Sequence, residues 1–287
     1  MKAFFISFLL LSGAVSSYAQ DTTSAAVVQK TSPWFVERFR LTAGFFVPVN
    51  NTNIQVGVNG GALGTNIDFE KDLGFNNSQL TFLANFQWRI SRRSRINLNY
   101  YNIPRSADYT LKKDITFNDK TYHINSSVSS YFNTAIYQFS YGYALVAKPK
   151  FEIGLLIGAH IIGGSAGIGL SGASADVSTS TKFGFTAPLP DLGIWGGYQI
   201  SNRFGVTLDA DYLSLTVGDI SGRILAYNLQ FLYKLMPQLD LTLGYTGLNF
   251  RVDVEKPKAE GHFKWGYNGP ALGATFSFGG KTWMHKK

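Results

Sequence analysis

Apolar and polar residues alternate with a period of two along most of the chain. In one segment every second residue from Leu239 to Tyr245 is apolar, and Asp240, Thr242 and Gly244 lie between them. The same alternation recurs over residues 39–47, 82–90, 137–145 and 225–235. This pattern is typical of β-strands with one apolar face, and it predicts antiparallel pairing.

Two kinds of turn separate these strands. Four are short and polar, at 91–94, 147–150, 201–203 and 236–238, whereas residues 49–78, 112–127 and 169–190 form longer stretches rich in Gly, Ser, Asn, Asp and Lys. Short turns at one end and long loops at the other are typical of outer-membrane barrels, whose short turns face the periplasm. Four short turns and two chain ends bound five hairpins, so we predict ten strands, with eight or twelve as alternatives. The predicted strands are 36–48, 79–90, 95–111, 128–146, 151–169, 189–200, 203–217, 222–235, 238–254 and 262–278, and 53–58 is a candidate for an additional extracellular hairpin.

The N-terminus has the order of a secretory signal. A basic Met1-Lys2 start precedes the apolar residues 3–11, and small residues at Ser17 and Ala19 predict cleavage after Ala19. We therefore expect export to the outer membrane of a Gram-negative cell. The predicted organisation is a signal peptide at 1–19, a periplasmic N-terminal segment at 20–35, a barrel at 36–278 and a tail at 279–287.

Alternation alone does not say which face points inward, since a secreted soluble β-protein would turn its apolar face to the core. Aromatic residues at the strand ends favour a membrane barrel with interfacial girdles: Trp88, Tyr100, Tyr143, Tyr212 and Tyr233. The last strand also resembles the signal read by the outer-membrane assembly machinery, in Gly273, Phe276 and Phe278. Nine residues follow Phe278, where many such proteins end. The sequence thus predicts an all-β, transmembrane, antiparallel up-and-down β-barrel.

Four further segments support this interpretation. They are Gly64–Phe75, Leu98–Asn102, Asp114–Phe117 and Phe139–Tyr143. With them the chain resembles uncharacterised Gram-negative outer-membrane β-barrel proteins from about Arg38 to Phe278. The resemblance implies a fold and a membrane, and no activity.

Composition and charge narrow the possible partners. The 287 residues are 45% hydrophobic and 15% aromatic, which excludes a disordered chain, and the absence of cysteine excludes disulfides and thiolate metal sites. The net charge is +8, but no nucleic-acid motif is present. Cations toward the long loops fit lipopolysaccharide phosphates, although ordinary solvated charge explains them equally well. We expect a monomer with outer-membrane lipid, lipopolysaccharide and the assembly machinery as partners, and with no metal or cofactor.

A polar set should line or plug a narrow lumen. Asp209 and Asp211 share one strand face, and they are expected to meet lumen cations rather than to form an acid/base pair. Lys234 and Asp240 lie symmetrically about Pro237 and should face one another across that hairpin. The candidate lumen network is Arg40, Arg89, Glu152, His160, Asp209, Asp211, Lys234 and Asp240, joined by Gln138, Asn228 and Gln230.

The leading hypothesis is a non-catalytic outer-membrane barrel with a structural role, or one in the binding or passage of a small solute or lipid. The alternative is a lipid-modifying enzyme that hydrolyses acyl chains of lipid A or phospholipid, with His123 or His160 as its base. His123 lies near Asp119, Ser126 and Ser127, but such residues are common in loops. His160 is better explained by an interior hydrogen bond, His262 by the barrel rim and His285 by the tail.

Overall fold

The structure is a computed structural model that describes residues 32–58, 66–117, 120–171, 180–256 and 259–279. Its strands are β1 (Phe39–Phe46), β2 (Val49–Val58), β3 (Ile67–Asp68), β4 (Thr81–Arg89), β5 (Ser94–Thr110), β6 (Ile115–Phe117), β7 (Lys120–Tyr122), β8 (Ser127–Ala147), β9 (Phe151–Leu170), β10 (Ser180–Gln199), β11 (Phe204–Val217), β12 (Ile220–Met236), β13 (Leu239–Lys256) and β14 (Ala259–Phe278). One short helix, α1, spans Phe69–Asp72. No helix in the described part of the chain is long and apolar enough to cross a membrane.

Ten antiparallel strands form a closed ring. Hydrogen-bonded neighbours follow in the order β1, β4, β5 and β8 to β14, and β1 then pairs with β14 to close the sheet. The predicted number of strands is therefore confirmed. β6 and β7 form a separate hairpin beyond the ring, between β5 and β8 in the chain.

β2 continues the first wall strand toward the loop end. β14 pairs with β1 through its second half and with β2 through its first half. The two halves meet at Val47-Pro48, where the chain bends close to β14. A Cβ atom at Gly269 would lie 1.9 Å from the carbonyl oxygen of Val47, so this close approach requires glycine. Residues 53–58 thus extend the barrel wall, and their only pairing outside it is with the two residues of β3 within the described chain.

The apolar face of the ring points outward. Phe231 and Leu241, which a soluble β-domain would bury, are 53% and 41% exposed. Large exposed side chains such as Leu155, Ile194 and Phe276 continue this belt around the ring. Such a surface is stable only in contact with lipid, because apolar patches of this extent are rare on soluble monomers. The fold is therefore a transmembrane barrel, and the soluble alternative is wrong.

One predicted strand was too short. The sixth was expected at 189–200, with a loop from 169 to 190, but β10 already begins at Ser180. Pro188 and Pro190 suggested a loop because proline cannot donate to a sheet. In the structure this part of β10 pairs with β9, whereas pairing with β11 begins only at Leu192. The prolines are accommodated because this part of β10 is hydrogen-bonded to a neighbouring strand on one side only.

A charge placed in the lipid-facing belt should destabilise the barrel in a depth-dependent way. Leu243 is 58% exposed near the middle of the outer face of β13. We expect Leu243→Arg to lower the free energy of unfolding by about 2–4 kcal/mol, measured by denaturant titration in lipid vesicles. Ile200 is 55% exposed at the short-turn edge, and Ile200→Arg should cost only about 0–1 kcal/mol. Equal, small effects at both positions would contradict the assigned orientation.

Candidate functional site: the barrel interior

The inward-facing side chains form three layers along the barrel axis. A charged layer lies at the short-turn end, a polar cavity lies in the middle, and an apolar core fills the loop end. The alternation of polar and apolar residues along each strand predicts the first two layers. Every inward residue of a strand is separated from the next inward residue by one outward residue. The third layer was not predicted, since the sequence suggested a polar lumen throughout.

The charged layer is built around Glu152, the first inward residue of β9. Its Oε1 accepts from Arg89 Nη2 at 2.7 Å, and its Oε2 accepts from Arg92 Nη1 at 2.9 Å. Glu152 and Arg89 are 2% and 1% exposed. Buried charges of this kind persist only when they are paired, because removal from water costs several kcal/mol per ion.

An arginine–tryptophan stack lies against this ion pair. The guanidinium of Arg95 is 3.8 Å from the centre of the Trp195 ring, a cation–π geometry, and Arg95 also forms a salt bridge with Asp209. Two glycines make room for the indole. A Cβ atom at Gly142 or Gly154 would lie 3.0 or 2.6 Å from its Nε1. These positions must be glycine for the ring to lie flat against β8 and β9.

The predicted hairpin pair is replaced by another arrangement. Lys234 and Asp240 do occupy opposite positions across the β12–β13 turn. However, Asp240 is only 2% exposed, and it forms its ion pair with Arg40, at 3.7 Å. Lys234 instead lies over the ring of Trp34, 5.5 Å from its centre. The two residues therefore face one another as predicted, but the ion pair that holds the buried Asp240 is formed with Arg40.

The N-terminal segment closes the short-turn mouth. The structure describes residues 32–35 of the predicted periplasmic segment, and Trp34 and Phe35 there are buried with Val36 and Leu232. The backbone N–H of Trp34 donates to Gln199 Oε1 at 3.0 Å. Phe35 packs over two inward glycines of the ring, which are Gly197 and Gly205. We call Trp34, Phe35 and Val36 the N-terminal plug.

The middle layer encloses a polar cavity of about 60 Å³. His160 lies on its wall, and its Nδ1 is 2.8 Å from Asp191 Oδ2. Asp211 accepts from Gln138 Nε2 at 3.1 Å. A volume of this size holds a few water molecules, and the polar lining offers them partners. Other residues on the wall are Asn85, Gln87, Asn97, Asn99, Ser140, Asp209, Asn228, Gln230 and Thr246.

Asp209 and Asp211 do not meet the cations that the sequence suggested. Those were Arg40, Arg89 and Lys234, but Asp209 pairs with Arg95. Arg95 was not among the predicted lumen residues. Its parity with Asn97 on β5 was the signal that it faces inward, where it is 5% exposed.

The loop end is filled by the chain itself. Phe69 and Leu73, from α1 and the residue after it, are 2% and 0% exposed and pack against inward aromatic rings of the wall. α1 begins at Asp68, whose Oδ1 accepts from the N–H of Lys71 at 3.0 Å. The β6–β7 hairpin contributes further apolar residues. The main members of this core are Phe46, Ile67, Phe69, Leu73, Phe75, Ile103, Ile115, Phe117, Phe132, Ile136, Phe250, Trp265 and Tyr267.

One buried cation, Arg105, links α1 to the barrel wall. Arg105 on β5 donates to Thr52 Oγ1 on β2 at 2.7 Å and to Glu70 Oε1 on α1 at 2.5 Å. Glu70 Oε2 in turn accepts from the N–H of Thr52 at 2.9 Å. β2 and β5 are not hydrogen-bonded to one another, so this bridge closes the wall between them.

Two of the remaining histidines, His123 and His262, lie away from the cavity. His123 is exposed and pairs with Asp114 at 3.2 Å, whereas its predicted neighbour Asp119 lies outside the described residues. The N–H of Ile124 and the ring of His123 both bond to Asp114, and they hold the pKa of that carboxyl below its ordinary value. His262 lies on the outer face of β14, 2.6 Å from Asn53 Oδ1. His285 and the predicted signal peptide also lie outside the described residues.

The predicted assembly signal lies on β14 next to the closure with β1. Phe276 and Phe278 face outward at 50% and 42% exposure, and Gly273 faces the lumen between Thr42 and Thr242. Recognition by the assembly machinery stays a prediction.

Comparison with known proteins supports the fold. No family model and no curated protein matches the chain. Among solved structures, the outer membrane protease OmpT from Escherichia coli is 11% identical with a TM-score of 0.53, over 85% of this chain and 100% of that chain. Two others are the Pseudomonas putida toluene transporter TodX, at 11% identity, TM-score 0.34 and coverage of 89% and 94%, and the Yersinia pestis attachment invasion locus protein Ail, at 8%, 0.30 and coverage of 84% and 100%.

The ring, the lipid-facing belt and the likeness to OmpT define the class: this is a β-barrel of the outer-membrane type. These structures include a protease and a transporter at very low identity, so the likeness extends to the fold and not to an activity.

Removing the charge of Glu152 should destabilise the barrel strongly. Glu152→Gln leaves Arg89 buried without a counter-charge, so we expect a loss of about 3–5 kcal/mol in the free energy of unfolding. The matched control is Lys71→Gln, which breaks an ion pair whose lysine is 83% exposed, and it should cost about 0–1 kcal/mol. Similar losses for both variants in denaturant titrations would show that the charged layer is not a structural unit.

Proposed function

We propose that the protein is a non-catalytic outer-membrane barrel with a closed interior, whose role is structural rather than the passage of a solute. The observation that carries this proposal is that three obstructions, which we call blocks, follow one another along the lumen. The N-terminal plug covers the short-turn mouth, the charged layer crosses the lumen, and the apolar core fills the loop end. Between them remains a cavity of about 60 Å³, which is too small for a hydrated solute pathway.

The energetics of the blocks support a permanently filled interior. Opening a pathway would separate buried ion pairs in one layer and expose packed aromatic rings in another. Breaking one buried pair costs about 3–5 kcal/mol, and exposing one large aromatic side chain costs about 1.5–3 kcal/mol. A barrel filled in this way resembles a protein core, and it holds its loops on a rigid frame at the cell surface.

Planar-bilayer recordings test this proposal. The purified full chain should insert without producing conductance steps at either polarity. The variant Trp34→Ala/Phe35→Ala, which empties the N-terminal plug, should also remain silent because the two other blocks are intact. Steady conductance of the unmodified protein would contradict the proposal. Conductance steps seen only in the double variant would show that the N-terminal plug alone blocks the lumen, and would also contradict the proposal.

A second candidate, lipid hydrolysis, is favoured by one observation. His160 is oriented by Asp191 on the cavity wall, as a general base requires. Against it, the cavity has no room for an acyl chain. We expect lipid A and phospholipid mass spectra to be the same in cells with the protein and in cells without it. A hydrolysed lipid that is present with the unmodified protein and lost in His160→Gln would establish the enzyme instead.

A further inference from the structure

Three cations lie side by side on the outer face of the barrel near the loop end. Arg223 on β12 is paired in register with Arg251 on β13, and Arg251 is paired with Lys264 on β14. All three side chains are exposed. They share the outward face with the apolar residues of the same strands, among them Leu225 and Leu243. We call Arg223, Arg251 and Lys264 the cation row.

The height of the cation row coincides with the outer edge of the lipid. On β12 the outward apolar positions run from Leu235 to Leu225, ten residues apart, and Arg223 is the next outward position. Ten residues at about 3.3 Å each, tilted by about 45°, span about 23 Å. The apolar band of such barrels is about 25 Å tall, so the cation row lies at the level of the headgroups.

An aromatic pair lies in the part of the belt that is nearer to the cation row. The rings of Tyr227 and Tyr245 are stacked with centres 6.4 Å apart, and Tyr245 Oη donates to Asn268 Oδ1 at 2.7 Å. Tyrosine is enriched at membrane interfaces, where its ring contacts lipid and its hydroxyl finds a polar partner. On β12 only Leu225 separates Tyr227 from Arg223 on the outer face, so the pair supports a boundary of the lipid close below the cations.

Among the side chains that the structure describes, Asp253 is the carboxylate that faces the cation row. Arg251 donates through Nε and Nη2 to Asp253, at 2.8 and 2.9 Å. Among the residues that the structure describes, Arg223 and Lys264 form no ion pair. Glu255 and Glu260 occupy opposed backbone positions on β13 and β14, further toward the loop end than the row. Counted over the described side chains, one carboxylate beside three cations leaves an excess of two positive charges.

Like charges at directly opposed positions of a sheet are destabilising. These three cations nevertheless lie side by side, at the height of the headgroups and facing the membrane, and this arrangement indicates an anionic partner there. We propose that the cation row binds a phosphate group of the phosphorylated glycolipid in the outer leaflet. Arg223 and Arg251 would donate charge-assisted hydrogen bonds to the phosphate, and Lys264 would add a third charge. The site lies outside the lumen and does not depend on the proposed closed interior.

The test compares lipid binding by the full chain in mild detergent, using native mass spectrometry. The ligands are lipid A with its phosphates and the same lipid A after phosphatase treatment. We expect the unmodified protein to retain phosphorylated lipid A about tenfold or more better than the treated lipid, and Arg223→Gln/Lys264→Gln to lose this preference. The double variant keeps the Arg251–Asp253 pair, so the change is confined to the two cations without a partner.

Lys71→Gln/Lys112→Gln is the matched control, because it removes the same charge from exposed positions at the loop end and should leave the preference intact. Heat-modifiable gel migration checks that each variant is folded, and the single variant Lys264→Gln gives the same comparison with a smaller loss. Equal retention of both lipids, or an equal loss in the control, would overturn the proposal. Binding of inorganic phosphate as tight as that of phosphorylated lipid A would also overturn it, since the lipid would then add nothing to recognition.

Discussion

The structure depends on one constraint: hydrocarbon offers no partner to a backbone N–H or C=O, so each stretch of a strand that crosses the hydrocarbon must be paired on both sides. β14 satisfies this constraint at the closure. It pairs with β13 along its length, with β1 through one half and with β2 through the other. The bend at Val47-Pro48 and the glycine opposite it allow two short strands to act as one wall element. β2 and β5 are not hydrogen-bonded to each other. There the side chain of Arg105 on β5 links the two strands, through its bonds to Thr52 on β2 and to Glu70 on α1.

Once the ring is closed, its diameter determines what the interior can be. Ten strands enclose a space that side chains can fill, and here they do. Near the short turns the filling is ionic, and Glu152 and Arg89 are stable there because each neutralises the other without water. Near the loops the filling is apolar, and Phe69 of α1 adds its ring to the rings that the wall strands supply. Gly154 and Gly197 have no side chain, and this leaves room for the rings of Trp195 and Phe35, respectively.

The alternation in the sequence predicted the strands and their faces, since a period of two is a local property that neighbouring residues share. It failed where both faces became apolar, as along the loop end, because alternation then no longer separates lipid from lumen. It also could not give the partners of inward charges. Arg95 and Asp209 are 114 residues apart, and they meet across the lumen only because the ring has a particular stagger. The N-terminal plug was missed for a similar reason, since Trp34 precedes the first strand and only the closed ring offers it Gln199 and Gly205.

The contrast between inner and outer charges indicates where function lies on this barrel. Inside, Arg89, Arg95 and Arg105 each bond to a carboxylate of the same chain, so their charge is already used to hold the fold. Outside, Arg223 and Lys264 form no ion pair among the residues that the structure describes. A charge that the fold neutralises is a structural element, whereas a charge that the fold leaves unpaired at a lipid boundary is available to a ligand. The lumen of this barrel is therefore best understood as its core, and the proposed lipid site lies on its outer surface for the same physical reason.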